Sequence, residues 1–308
     1  LSSFAFQMCL ISVKLFSLIY DEVSPEGKEK LLCCLSYAVC NNNKDLVKFL
    51  LKKTSLYESA LIDAVGTSDL ELVDIILKEN NEPSFINNIY NGKTALYSAV
   101  YNNNLPIVKR LLSVPGINPS KYFMLDKTAL FQAYSDSRIE IFDEIINFYL
   151  ENDKKQELKL QFTAILKNII HPDNNHNDLF RIMNPQPLSK SEEIKKERRK
   201  KIANKYMEHI LNTKCFDPNV LFEETLLTYS IKCNRIDFVQ KLLEIDELDV
   251  NMYNSTDGDT PFICAVKNNN IEIVKLLINH PKIDINLKNF NNETGLTISV
   301  SKNFITIN

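Results

Sequence analysis

The sequence predicts an all-α fold, a helical repeat solenoid with short turn or hairpin connections. Three observations carry this: a phrase that recurs at a near-constant interval, apolar residues at helical spacing inside each copy, and turn residues at fixed places between copies. The phrase reads AVCNNNKDLVKFLL from Ala38, AVGTSDLELVDIIL from Ala64, AVYNNNLPIVKRLL from Ala99 and AYSDSRIEIFDEII from Ala133. It returns as SIKCNRIDFVQKLL from Ser230, AVKNNNIEIVKLLI from Ala265 and a shortened SVSKNFITIN from Ser299. Ala64 to Ala99 is 35 residues, Ala99 to Ala133 is 34, Ser230 to Ala265 is 35 and Ala265 to Ser299 is 34. A period of this length marks stacked helix pairs, each burying its apolar face on the next.

Along the chain, residues 1–24 form an apolar segment. Its uncharged run ahead of Lys14 is 13 residues, too short to cross a bilayer. We expect it to be a helix covering the open end of the stack; a signal or anchor made of residues 1–20 is the alternative. Residues 25–158 hold repeats, opened by a covering helix from Pro25 to about Val39 with Ser24 as N-cap and Pro25 in the first turn.

The segment 91–119 shows how one repeat works. Asn91-Gly92 is a turn dipeptide. Thr94 can cap a first helix, along which Leu96, Ala99 and Val100 recur at i, i+3 and i+4. Asn103 then reverses the chain, because Asn tolerates the left-handed conformation best after Gly. Asn42, Asn234, Asn269 and Asn303 hold the same repeat position, and Ser68 and Ser137 hold it elsewhere. A second helix follows, with Pro106 in its first turn and Leu105, Val108, Leu111 and Leu112 expected on its buried face.

The position held by Ser137 recurs only at Asn234, 97 residues later, about 30 more than two regular repeats need. Residues 159–222 are therefore expected to be a degenerate repeat. Its helices fall near Leu158–Ile170 and Ile194–Leu211, around an insertion at 171–191. Residues 223–308 resume the pattern, the last unit being incomplete.

Composition narrows the function. Net charge is −3, so no global field draws the chain to nucleic acid or membrane. Neither a nucleic-acid nor a membrane partner is expected on that basis, unless residues 1–20 act as an anchor. The 6 glycines give no phosphate-cradling loop. No G-x-S-x-G, H-E-x-x-H, Walker or kinase signature occurs, so neither catalysis nor a cofactor is expected. The 7 cysteines are odd in number and lack a C-x2-C pair, which fits reduced thiols in a cytosolic protein. His171 and His176 beside Asp173 and Asp178 match no zinc spacing, so no metal is expected. The sharpest charge feature is Lys195, Lys196, Arg198, Arg199, Lys200 and Lys201. Residues 190–205 carry eight Lys/Arg and three Glu, net +5. This is either the solvated face of a helix or a nuclear-import or polyanion-binding patch.

The repeats resemble ankyrin repeats. Thr94-Ala95-Leu96, Thr128-Ala129-Leu130, Thr225-Leu226-Leu227, Thr260-Pro261-Phe262 and Thr294-Gly295-Leu296 match that family's opening motif, and I-V-x-L-L and D-I-N phrases follow. Departures are regular: Asn-Asn replaces the usual Gly-His, and the opening motif's His is Tyr97, Phe131, Ile263 or Thr297. The Asn-rich style is similar to the ankyrin families of parasitic protists such as trichomonads. The resemblance implies a non-catalytic scaffold that binds a partner protein on a concave face lined by turn tips and first helices. Carried onto this chain, that face offers Tyr90, Asn91, Lys93, Tyr97 and Tyr101 in one repeat and Asp257, Asp259 and Lys267 in another. Tyr suits this role because it is rigid and amphipathic. The rival reading is a nuclear or polyanion-binding protein working through residues 195–201.

Overall fold

The structure, a computed structural model, describes residues 13–22, 24, 34–53, 57–121, 128–170, 190–213, 215–219 and 224–302; within these, the side chains at 13–15, 19 and 190–200 lie outside the description. The described residues are helical, without strands, and fall into two compact units, residues 1–154 and 155–308. The first holds α1 (Val13–Glu22), α2 (Cys34–Cys40), α3 (Lys44–Leu51), α4 (Ala60–Gly66), α5 (Leu70–Glu79), a single turn α6 (Pro83–Ile86), α7 (Ala95–Tyr101), α8 (Leu105–Leu112), α9 (Ala129–Ser135) and α10 (Ile139–Glu151). The second holds α11 (Lys155–Ile170), α12 (Lys190–Asn212), α13 (Leu226–Lys232), α14 (Ile236–Leu243), α15 (Pro261–Lys267), α16 (Ile271–Ile278) and α17 (Gly295–Ser301).

Short first helices pack against their own second helices and against the first helix of the next repeat: α2 on α3 and α4, α4 on α5 and α7, α7 on α8 and α9. The second unit repeats this with α13 on α14 and α15, and α15 on α16 and α17. The first helices tolerate such crowding because Ala64, Ala99, Ala133 and Ala265, all at 0% exposure, leave room for a neighbour. On the second helices the buried stripe is Leu46, Val47, Leu50 and Leu51 in α3 and Ile107, Val108, Leu111 and Leu112 in α8. Ile107 therefore takes the place expected for Leu105, which is only half-buried. Leu105 is the first residue of its helix and sits short of the stripe.

The Asn clusters divide two tasks between neighbouring residues. Asn42, Asn103, Asn234 and Asn269 stand at φ 55, 56, 55 and 52°, and Ser68 and Ser137 at 61 and 60°, so every described residue at this position is left-handed. The next residue caps the second helix: the side chains of Asn43, Asn104 and Asn270 accept from the backbone N–H of Leu46, Ile107 and Ile273, and Asp69 does so for Leu72. In two repeats that residue is Arg, and it reaches backward instead. Arg138 donates to the Tyr101 carbonyl at 3.1 Å, and Arg235 to the Ile169 and Ile170 carbonyls at 2.7 and 3.2 Å. The first helices start on Thr caps, as expected: Thr94, Thr128, Thr225, Thr260 and Thr294 each accept from the N–H three residues on.

A further Asn joins successive repeats. Asn251 donates to the Lys282 carbonyl and accepts from the Asp284 N–H, at 2.7 and 2.8 Å. Asn219 makes the same pair of bonds to Glu247 and Asp249, and Asn87 to Gly116 and Asn118.

At the N-terminal end, α1 lies against α3, with Phe16 and Tyr20 edge-on to Phe49 at 5.9 and 6.0 Å. The expected start of a helix at Pro25, residues 1–12, most of the 171–191 insertion, His171, His176 and Asn303 lie outside the described residues. Among the described residues no helix is long and apolar enough to cross a membrane, and no group of His, Cys, Asp or Glu can hold a metal ion.

Candidate partner-binding site

Tyr90, Asn91, Gly92 and Lys93 form a two-residue hairpin ahead of α7. Tyr90 and Lys93 exchange both backbone bonds, at 3.0 and 3.1 Å, and the central residues take φ 50 and 73°. Two consecutive positive φ values are what Asn-Gly permits and other pairs resist. The turn places Lys93 beside the exposed end of α7, where its Nζ lies 4.8 Å from the centre of the Tyr101 ring. Tyr90 is 44% exposed and Tyr101 53%. Lys93 has no acidic partner among the described residues. The result is two open aromatic faces and a cation that is held but not neutralised. A cation over an aromatic face is attracted by the ring quadrupole.

Tyr97 plays a different part. It is 9% exposed, and its hydroxyl donates to Gln132 Oε1 at 2.7 Å in the next repeat. Burial, and then the nearby Asp136 carboxylate, raise its pKa. The ring thus fills the opening-motif position and ties α7 to α9, with little left to offer a partner.

Asp257, Asp259 and Lys267 come together in the second unit, mainly to satisfy one another. Lys267 Nζ lies 2.5 Å from Asp259 and 3.5 Å from Asp257. Asp259 is only 2% exposed, and its second oxygen accepts from Asn289 at 2.9 Å in the following repeat. Desolvation is the largest single influence and works against the Lys267 charge, but the bonds and charges of Asp259 and Asp257 together outweigh it and raise the pKa. Asp259 is therefore a structural residue and not a surface contact. Its charge is compensated by Lys267 on the same repeat and by Asn289 on the following one.

Of the basic run, Lys195, Lys196, Arg198, Arg199 and Lys200 have described backbone only, on α12; Lys201 is exposed. Sequence reasoning missed Gln132, Arg138, Arg235 and Asn289. Each works across a repeat boundary, and only the fixed position of the two Arg residues, where neighbours carry Asn or Asp, was a signal.

With this geometry in hand, comparison with known proteins is direct. A family model described as "Ankyrin repeats (3 copies)" matches residues 35–123, 61–157 and 199–289. These matches cover more than half of the chain. The chain belongs to the ankyrin-repeat family. Ankyrin repeats in general mediate protein–protein interaction, and proteins built from them are typically non-catalytic scaffolds. Among solved structures, one titled "Crystal Structure of EF0377 an Ankyrin Repeat Protein" is 20% identical, with 82% of this chain and 95% of that chain covered and a TM-score of 0.31. No curated protein matches the chain.

Proposed function

We propose that this ankyrin-repeat chain is a non-catalytic, cytosolic scaffold that binds a partner protein through the turn tip and first helix of the Tyr90–Tyr101 repeat, the family's concave face. The observation that carries the reading is the exposed Tyr90, Lys93 and Tyr101 group. Its members are preset by the hairpin and by the cation–π contact, so little side-chain freedom is lost on binding. Tyr is enriched among the few residues that carry most of the energy at protein interfaces, where truncating one costs about 2 kcal/mol or more. The five described cysteines form no disulfide, in keeping with a reducing compartment.

The test is capture of binding proteins from host lysate by the full chain and by the Tyr90→Ala, Lys93→Ala, Tyr101→Ala variant, once circular dichroism shows equal helicity. A protein held by the wild type and lost by the variant supports the site. Equal capture by both removes it.

A further inference from the structure

Helix α12 changes character half-way along. Its 23 residues span about 34 Å at the α-helical rise. In its C-terminal half, Ala203, Tyr206, Met207 and Ile210 form a stripe at i, i+3, i+4 and i+7, with exposures of 7, 0, 0 and 0%. These residues belong to the element that packs on α11. Followed one and two turns toward the N-terminus, the same stripe passes through Arg199, Lys196, Lys195 and Glu192. Three cations thus occupy register positions that would have to be apolar for the helix to continue packing. The neighbouring α11 ends at Ile170, where Arg235 holds the Ile169 and Ile170 carbonyls. The apolar register of α12 therefore stops at Ala203.

The remaining cations occupy the other sides of the helix. Arg198, Lys201 and Lys205 lie opposite the packing stripe at i, i+3 and i+7. Lys201 and Lys205 are exposed, and neither is paired with an acid among the described residues. A helix with cations both in its packing register and on the side opposite can meet negative charge from two sides, as a helix does between the phosphate rows of a groove.

We propose that residues 195–205 of α12 dock duplex nucleic acid through its phosphates, without reading base sequence. Two other polyanionic surfaces fit less well. Single strands are held by stacking bases on aromatic side chains, and Tyr206, the aromatic residue of this helix, is fully buried. A helix lying in a membrane interface needs a broad exposed apolar face, and of the described apolar residues of α12 Ala203, Tyr206, Met207 and Ile210 are buried, leaving Ile202 exposed. Because the chain as a whole carries −3, the attraction is local, and it should show the salt dependence of phosphate contacts. This inference is independent of the Tyr90–Tyr101 site.

The test is fluorescence anisotropy of a short labelled DNA duplex, and of the RNA duplex of the same sequence, titrated with the full chain. If the seven cations from Lys195 to Lys205 each neutralise a phosphate, affinity falls about several-thousandfold between about 50 and about 200 mM salt. Binding of either duplex with that slope supports the proposal and says which nucleic acid is preferred. Changing the six cations from Lys195 to Lys201 to Gln, a good helix former, should abolish binding with helicity retained. The milder Lys201→Gln, Lys205→Gln variant should reduce the salt slope by about 2. The Tyr90→Ala, Lys93→Ala, Tyr101→Ala variant should bind duplex like the wild type. The proposal is overturned if no duplex binds at low salt, if the six-Gln variant binds unchanged, or if phosphatidylserine vesicles are bound while both duplexes are not.

Discussion

Asn103 stands for a residue type that decides geometry without contributing to a core. At φ 56° a side chain with an ordinary Cβ costs about 1–2 kcal/mol, which Asn partly avoids and Gly wholly avoids. Asn103→Ala should therefore lower stability by about 1 kcal/mol in urea unfolding, and Asn103→Gly should be close to neutral. Asp69 carries a second residue-scale expectation. The Lys44 ammonium, and then Asn42, hold its carboxyl at about 2, below the ordinary 3.8. A carboxyl depressed in the folded state contributes stability that is present above 3.8 and is lost as pH falls toward about 2. Asp69→Asn keeps an N-cap acceptor for Leu72 but removes the titrating charge, so its urea midpoint should fall less than the wild type's across that window. The turn and cap roles of these residues were legible because they depend on the residue itself and its chain neighbours. The burial of Asp259 was not, because it depends on Asn289, 30 residues away.

Among elements, the helices themselves were readable from apolar spacing, Thr caps and left-handed Asn. What could not be read is how one element holds the next. Arg235 looked like an ordinary charged residue, yet its guanidinium closes α11 and pairs with Asp237 at 2.9 and 3.0 Å. Lys cannot reproduce that fork, so Arg235→Lys should destabilise the second unit by about 1–3 kcal/mol, read as a lower urea midpoint with unchanged slope. Asn251→Ala deletes both bonds to the following repeat and should cost about 1–2 kcal/mol by the same measure. The candidate site divides in the same way. Tyr90, Lys93 and Tyr101 were found from residue type and turn position, whereas the inward role of Tyr97 needed its partner Gln132.

Within each unit, stability is distributed over successive repeats and not held in one centre. Leu296 and Val300 in α17 are 72 and 70% exposed, whereas their counterparts Leu96 and Val100 in α7 are at 1 and 0%. Of the described first helices, α17 should therefore exchange its amide hydrogens fastest, and α7 and α15 slowest. Thiol chemistry reads burial within a repeat. Burial, with the Asp259 carboxylate second, pushes the Cys264 thiol up to about 12. Cys34 and Cys215 are also buried, while Cys40 is exposed. At pH 8 a thiol reagent, mapped by mass spectrometry, should label Cys40 first among these and reach Cys34, Cys215 and Cys264 only on unfolding.

The pairs of bonds made by Asn87, Asn219 and Asn251 end on a carbonyl and an N–H, atoms that every non-proline residue possesses. Such a latch is blind to the identity of what it fastens. The loops it closes can be rewritten, and a unit ending in this Asn can be transplanted to a new neighbour, without any matching change on the other side. The stack is in that sense an assembly of interchangeable parts, joined by a fastener that does not record which part comes next.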